Sequence, residues 1–290
     1  MGATSRTAIS FPSLLAQHAE LLYAKENRVI ELEHVRKVYR GPDGVDIVAV
    51  EDVSFSVAPG ETLCLIGTSG CGKTTTLKLI NRLIEPTNGI VRFAGEDVRQ
   101  QDVIRLRRAM GYVVQKGGLF PHLTVAQNVG LLCELEGWTK HKTQLRVEAL
   151  LDLVNLPPEE FGARYPRELS GGQRQRVGVA RALALDPGCI LMDEPFGALD
   201  PLTRDQIHLE FESLKTKVDK TIVMVTHNMA EAFRLGDRVA IMDGGRILQI
   251  GTEDEVRHHP ANSFVAEFLR THMRSTRSSD ASARDVVHVG

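Results

Sequence analysis

The most informative absences in this sequence are a long apolar run, an excess of basic charge and paired cysteines. No apolar stretch approaches the roughly 18 to 20 residues that a helix needs to cross a bilayer. The formal net charge is −2, so the chain lacks the strongly basic surface of nucleic-acid-binding proteins, and we expect no nucleic-acid partner. The first residues lack the basic start and apolar core of a secretory signal. The four cysteines form no C-x-x-C pair, which favours a reduced, cytosolic compartment and buried apolar roles for their side chains.

What the sequence does contain is a complete phosphate-binding pattern, G-x-x-x-x-G-K-[ST], at residues 67–74. A β-type run at residues 63–66 precedes it and a helical run at residues 74–80 follows it, which is the context that the pattern requires. Glycines allow backbone N–H groups to surround a phosphate. Lys73 would supply charge to the outer phosphates, and the Thr74 hydroxyl could bind Mg²⁺. The predicted nucleotide contacts here are Gly67, Thr68, Ser69, Gly70, Cys71, Gly72, Lys73, Thr74 and Thr75. The alternative is a glycine-rich turn before an ordinary helix.

The distribution of strand-like and helical patterns predicts an α/β fold. The apolar runs at residues 189–192 and 221–225 do not alternate, which suits a parallel sheet covered on both faces. We therefore predict a P-loop NTPase (RecA-like) core with an antiparallel β subdomain and an inserted α-helical subdomain. The predicted parts are an N-terminal extension over residues 1–27, the nucleotide-binding α/β core with its β subdomain over 28–98 and 187–260, the helical subdomain over 99–186, and a short helix with a disordered tail over 261–290. Within the helical part, residues 103–110 read as a basic helix and 112–115 as a strand.

Two adjacent carboxylates end the apolar run at residues 189–192. Asp193 stands where a phosphate-loop enzyme places its metal-positioning carboxylate. Because successive side chains of a strand point in opposite directions, one carboxylate could serve Mg²⁺ while the other addresses a water. We expect Pro195 to hold Glu194 in an extended conformation. The alternative is a pair of surface acids that cap a loop.

The stretch Leu169-Ser170-Gly171-Gly172-Gln173 carries two signals. Ser170 and Gln173 fit a capping box at the start of a helix. A capping box needs no paired glycines, so Gly171 and Gly172 indicate a second place where backbone N–H groups could meet an anion. This stretch resembles the signature motif of ATP-binding cassette (ABC) ATPases, and the resemblance covers roughly residues 29–250.

The resemblance implies a role for each residue that matches a family motif. Gln115 matches the Q-loop glutamine, a Mg²⁺ ligand and sensor near the permease. Asp193 matches the Walker B aspartate, a Mg²⁺ ligand, and Glu194 the base that polarises the attacking water. His227 matches the switch histidine that contacts the γ-phosphate, and residues 198–200 match the D-loop that ends in Asp200. Tyr39 is the candidate that stacks on adenine.

Several of these residues also have ordinary structural explanations. Gln115 could be a polar residue at a strand end, His227 a loop residue near a helix start, and Tyr39 part of strand packing. Asp200 suits a helix N-cap, which is compatible with the D-loop role.

The family resemblance also implies partners and a location. Two copies would pair head to tail, with ATP held between the Lys73 loop of one copy and residues 170–173 of the other. The dimer would act on a separate membrane permease, and indirectly on a substrate-binding protein, from the cytoplasmic face of the membrane.

Residues 70–87, 111–115 and 119–122 resemble the glycine betaine, carnitine and choline importer subgroup. Importers of amino acids or of sulfonate and nitrate are alternatives, as is, more distantly, a non-transport ABC ATPase. Several members of the subgroup carry two C-terminal CBS domains, which we do not expect here because too few residues follow the last predicted helix.

Overall fold

The computed structural model describes residues 28–115, 118–197 and 200–272. The predicted N-terminal extension, residues 198 and 199 of the predicted D-loop, and the predicted tail from residue 273 onward lie outside the described residues. No helix within the described ranges is both long and apolar enough to cross a membrane. All four cysteines are buried and unpaired.

A five-stranded parallel sheet carries the candidate site at its carboxyl edge. Its order is β6-β7-β8-β3-β9. The strands are β3 (Thr62–Gly67), β6 (Met110–Val113), β7 (Cys189–Asp193), β8 (Thr221–Val225) and β9 (Arg238–Asp243). Every residue of β3, β7 and β8 is buried, which explains why their sequences are apolar without alternation.

Alternate residues of these strands enter two separate apolar cores. Cys64 and Ile66 of β3 lie in one core with Met192, whereas Leu63 and Leu65 lie in the other. The sheet is therefore covered on both faces, as the sequence predicts.

An antiparallel part extends the sheet beyond β9. It consists of β1 (Ile30–Arg40), β2 (Asp46–Val57), β4 (Asn88–Phe93), β5 (Glu96–Asp97) and β10 (Arg246–Gly251). The order continues β9-β10-β2-β1-β4-β5, so ten strands form one sheet. The link between β10 and β2 is a single bridge, Arg246 to Asp52.

Ten α-helices lie in the described part of the chain. They are α1 (Lys73–Ile80), α2 (Val103–Arg108), α3 (Val125–Leu135), α4 (Lys140–Leu153), α5 (Pro158–Phe161), α6 (Gly171–Ala182), α7 (Pro201–Val218), α8 (Met229–Leu235), α9 (Glu253–His258) and α10 (residues 263–272). A short 3₁₀ turn covers Pro166–Glu168. Side chains of α3, α4 and α6 bury one another in the same core that covers one face of the sheet.

The segment before Gln115 differs from its sequence-based prediction. The basic helix ends at Arg108 rather than residue 110, and Met110 already belongs to β6. β6 ends at Val113, so Gln115 lies two residues beyond the strand. Met110 is 3% exposed and pairs with Cys189 of β7, so burial at the sheet edge outweighs the local helical pattern. The division of the chain into subdomains stays a prediction.

Candidate active site

The loop between β3 and α1 has a backbone that only glycine adopts easily. Gly67, Gly70 and Gly72 have φ angles of 153°, 78° and 103°. A Cβ atom at Gly67 would lie 2.0 Å from the carbonyl oxygen of Met242. One at Gly72 would lie 2.5 Å from the carbonyl oxygen of Ala49. The glycines of the pattern are therefore required both by backbone conformation and by close approach to neighbouring strands.

Lys73 is held inside this loop. Its Nζ donates to the carbonyl oxygens of Gly67 at 2.9 Å and Thr68 at 2.8 Å, and lies 3.6 Å from Cys71 Sγ. The side chain is 7% exposed. Among the described residues no carboxylate pairs with it. A preorganised ammonium group without a counter-ion can attract a phosphate oxygen with little reorganisation.

Asp193, the last residue of β7, faces the start of α1. The Thr74 hydroxyl donates to its Oδ1 at 2.8 Å. Burial raises the pKa of Asp193, and the neighbouring negative charge of Glu194 adds to the rise, whereas the Thr74 hydrogen bond opposes it. A nearby cation would lower this pKa again.

Glu194 is the most unusual backbone position of the site. Its φ is 45°, in the left-handed region, so the expectation that Pro195 holds it extended is wrong. The turn is stabilised because the Glu194 N–H donates to Val225 O at 2.9 Å and the Gly197 N–H donates to Glu194 O at 3.2 Å. Strained backbone of this kind persists only where the surroundings impose it.

Two predicted residues converge on the Glu194 carboxylate. Gln115 Nε2 donates to Glu194 Oε2 at 2.7 Å. His227 Nδ1 lies 3.5 Å from the same oxygen. The three side chains come from the ends of β6, β7 and β8, because the carboxyl ends of parallel strands meet at one edge of the sheet.

A cavity of about 420 Å³ opens over the loop. Its walls are Gly67, Ser69, Gly70, Cys71, Gly72, Lys73, Thr74, Thr75, Glu194 and His227. The residues of the glycine-rich loop, Lys73 among them, therefore line one space together with a carboxylate and an imidazole.

Other predicted site residues do not line this cavity. Tyr39 lies in β1 opposite Ile47, is 38% exposed, and has Lys37 Nζ 5.1 Å from its ring centroid. Within the described part of the chain, Asp200 and residues 170–173 also lie outside the cavity walls.

Ser170 and Gln173 form the capping box that the sequence predicts. The Ser170 N–H donates to Gln173 Oε1 at 2.8 Å, and the Gln173 N–H donates to Ser170 Oγ at 3.2 Å. Gly171 and Gly172 form the first turn of α6. The local explanation of this stretch is thus correct, and it leaves the glycine pair available for a second role.

Two residues near the site were missed by the sequence analysis. Asp243 ends β9, and its Oδ1 accepts a 2.7 Å hydrogen bond from Thr68 Oγ1. Its position at the end of an apolar strand, like that of Asp193, was the available signal. A Cβ atom at Gly197 would lie 3.5 Å from both Glu194 Oε2 and His227 Cε1; no sequence pattern indicated that contact.

The oxygen donors around Thr74 fit the predicted Mg²⁺. A hydroxyl oxygen and a buried carboxylate oxygen lie within hydrogen-bonding distance of each other, and the Gln115 side-chain amide lies nearby, with its Nε2 on Glu194. Hard oxygen ligands of this type are what Mg²⁺ prefers when it also binds phosphates.

Comparison with known proteins gives concordant matches. A family model described as "ABC transporter" matches residues 50–197, just over half of the chain. The chain is 52% identical over 241 residues to the glycine betaine/carnitine/choline transport ATP-binding protein OpuCA of Bacillus subtilis. The aligned region covers 83% of this chain and 62% of that protein. It is 46% identical over 241 residues to the glycine betaine uptake system ATP-binding protein YehX of Escherichia coli. That alignment covers 83% of this chain and 76% of YehX. The chain thus spans about three fifths of the OpuCA relatives.

The fold also matches solved structures. One is a dimeric post-hydrolysis state of the ATP-binding cassette MJ0796 bound to ADP and Pi, at a TM-score of 0.70 and 33% identity. The match covers 77% of this chain and 98% of that one. The sheet and helices described above are therefore those of an ATP-binding cassette with a P-loop NTPase core.

Proposed function

This chain belongs to the ABC transporter family, and we propose that it is the ATP-hydrolysing subunit of an importer for quaternary amines such as glycine betaine, carnitine and choline. The observation that carries the ATPase assignment is the single cavity shared by the Lys73 loop, Glu194 and His227. The substrate class is supported by the names of the relatives OpuCA and YehX.

The proposed mechanism starts with binding of the triphosphate in the loop. Backbone N–H groups of the loop and the Lys73 ammonium bind the phosphate oxygens, because the loop residues and Lys73 line the cavity. Lys73 exchanges its two carbonyl contacts for phosphate contacts. Thr74, Asp193 and Gln115 would hold Mg²⁺. The ion would neutralise phosphate charge and favour departure of the leaving group.

Glu194 is the proposed general base. Its carboxylate lies at the cavity wall and can accept a proton from an attacking water. Gln115 donates to Glu194 Oε2, so a shift of the Gln115 side chain frees that oxygen. His227 lies on the other side of the same oxygen and can orient the base or donate to the outer phosphate.

We propose that the second half of the nucleotide site comes from another copy of the chain. Gly171, Gly172 and the capped start of α6 offer backbone N–H groups, whereas the described residues 170–173 do not line the cavity of their own chain. A head-to-tail dimer would place them against ATP bound by the partner. Opening and closing of this dimer would then drive a conformational change in a separate permease.

This proposal places the protein at the cytoplasmic face of a membrane. Tyr39 remains the candidate for adenine stacking because its ring is partly exposed on β1. Asp200 remains a candidate nucleotide contact in the D-loop.

The test is reconstitution in vesicles with the permease and substrate-binding protein encoded with this chain. Uptake of labelled glycine betaine, carnitine and choline is measured with ATP inside the vesicles, beside glutamate and taurine as an amino acid and a sulfonate. ATP-dependent uptake of the quaternary amines alone is expected. The Lys73→Ala variant is the matched negative control. Uptake of glutamate or taurine instead would contradict the proposed substrate class, and uptake that does not depend on ATP would contradict the ATPase role.

A further inference from the structure

A pair of buried ionisable side chains lies behind the candidate active site. His208 on α7 and Glu231 on α8 approach each other with 3.7 Å between Nε2 and Oε2, and their side chains are 5% and 3% exposed. Within the described ranges, neither His208 Nε2 nor Glu231 Oε1 has a hydrogen-bond partner. Such a pair is a poor source of stability, because the loss of hydration opposes the attraction between the groups. We therefore ask which neighbouring segments the pair holds in place.

His208 connects the pair to the segment that follows Glu194. Its ring meets the ring of Phe196 edge to face, with 5.0 Å between the centroids. Phe196 is 1% exposed and is also packed against Phe211. The next residue, Gly197, is the one whose added Cβ atom would lie 3.5 Å from Glu194 Oε2 and His227 Cε1. The position of Phe196 therefore sets the backbone beside both reacting side chains.

Glu231 connects the pair to His227. It lies in the first turn of α8, which is capped by Asn228. The Asn228 Oδ1 accepts hydrogen bonds from the N–H groups of Ala230 at 3.0 Å and Glu231 at 3.3 Å. Since Asn228 directly follows His227, a shift of α8 relative to α7 also moves His227 relative to Glu194.

We propose that His208 and Glu231 are positioning residues that set the separation between the Glu194 carboxylate and the His227 imidazole. The inference rests on the proposed ATPase function and goes beyond it by assigning a role to two residues that do not touch the cavity. It predicts an effect on turnover without an effect on nucleotide affinity, because neither residue contacts the Lys73 loop.

The same two helices carry a matched control pair at the surface. Arg234 of α8 donates to Glu212 of α7 at 2.7 and 3.3 Å, and both side chains are more than one third exposed. This ion pair links α7 to α8 as the buried pair does. Because this pair lies at the surface, a variant that breaks it tests whether any link between α7 and α8 affects turnover, or only the buried pair next to Phe196.

The experiment measures steady-state ATP hydrolysis of the full chain at one fixed protein concentration. The variants are Glu231→Gln, which keeps the shape of the side chain, and the double change His208→Leu with Glu231→Leu, which replaces the pair by apolar groups of similar size. We expect kcat to fall by about tenfold in both, with KM for ATP within about twofold of the parent. The apolar double variant should melt at or above the parent temperature. Glu212→Gln should leave kcat and KM within about twofold.

Two results would contradict the inference directly. A folded Glu231→Gln or double variant with parental kcat would overturn it, and so would an equal loss of kcat in Glu212→Gln. If the double variant does not fold, Glu231→Gln alone decides. If Glu231→Gln does not fold either, the pair serves folding rather than positioning. Absence of ATP hydrolysis in the parent would instead refute the proposed function, so the two failures are distinguishable.

Discussion

Residues 67–75 and 169–173 are both glycine-rich stretches that lead into a helix, yet they are built differently. The first has three glycines in left-handed conformations and shares one cavity with Glu194, while Asp193 accepts a hydrogen bond from its Thr74 hydroxyl. The second has helical glycines, and the Ser170 and Gln173 side chains are already used by the backbone of α6. The first stretch therefore brings reactive groups together, whereas the second can offer only backbone N–H groups to a ligand held elsewhere. Under the proposed function, one chain therefore carries two unlike parts of a site rather than two sites.

The largest effect is expected from Glu194→Gln, which removes the base of the first part. ATP hydrolysis should fall by about 100-fold or more, since the amide cannot accept the proton. ATP should still bind, and the ATP-bound variant should form a stable dimer on size-exclusion chromatography.

The control for Glu194→Gln is Glu253→Gln on the exposed start of α9, which should leave hydrolysis within about twofold. Near-parental turnover of Glu194→Gln would remove this residue from the base role. A monomeric ATP-bound state would contradict the proposal that residues 169–173 complete the nucleotide site of a second copy.

Lys73→Ala should weaken ATP binding by about 10- to 100-fold, because the outer phosphates lose a charged hydrogen-bond donor. Titration calorimetry of the full chain with ATP measures the dissociation constant. Lys78→Ala, on the exposed side of the same helix, should change it by less than about threefold. An unchanged dissociation constant for Lys73→Ala would mean that the first stretch does not bind the phosphates.

Ser170→Ala changes only the second stretch, residues 169–173, and leaves the phosphate loop intact. Loss of the cap should cost about 1 kcal/mol of stability and lower ATP turnover by about tenfold, with unchanged ATP affinity of the protomer. Thr252→Ala removes an equivalent capping box at the start of α9. It should lower the melting temperature similarly without reducing turnover. Equal turnover losses in the two variants would show that the effect is one of stability alone.

The smallest effect concerns Asp193→Asn in the absence of nucleotide. Burial raises the pKa of Asp193, so ionisation of this carboxyl is less favourable in the folded protein than in the unfolded chain. Asparagine should therefore raise the melting temperature by about 2 °C. Since a raised pKa means that the folded state gains stability as the group is protonated, the difference should shrink when the pH falls through that pKa. A lower melting temperature for the variant at pH 7 would contradict this.

Much of the architecture was predictable from local patterns. The resemblance to ABC ATPases and the α/β fold class are confirmed. The unalternating run at residues 221–225 coincides with β8, and the predicted helix after Ser170 coincides with α6. These elements were predictable because burial on both sheet faces and helix capping leave a direct mark on residue type.

Other features could not be read from neighbouring residues. The left-handed φ of Glu194 opposes the local preference before a proline and is imposed by backbone contacts to β8. The contacts of Gln115 and His227 with Glu194 join residues from three strands. The roles of Tyr39, Asp200 and residues 170–173 stay predictions.

The sequence by itself determined the phosphate loop, the strand endings that carry its carboxylates and the capped start of α6, because each of these depends on the chemistry of a few consecutive residues. Only the tertiary structure decided that Glu194 turns back toward Gln115 and His227, and that His208 and Glu231 meet behind Phe196. The physical reason is that parallel strands bring distant segments to one edge of the sheet, where packing and hydrogen bonds outweigh local backbone preference.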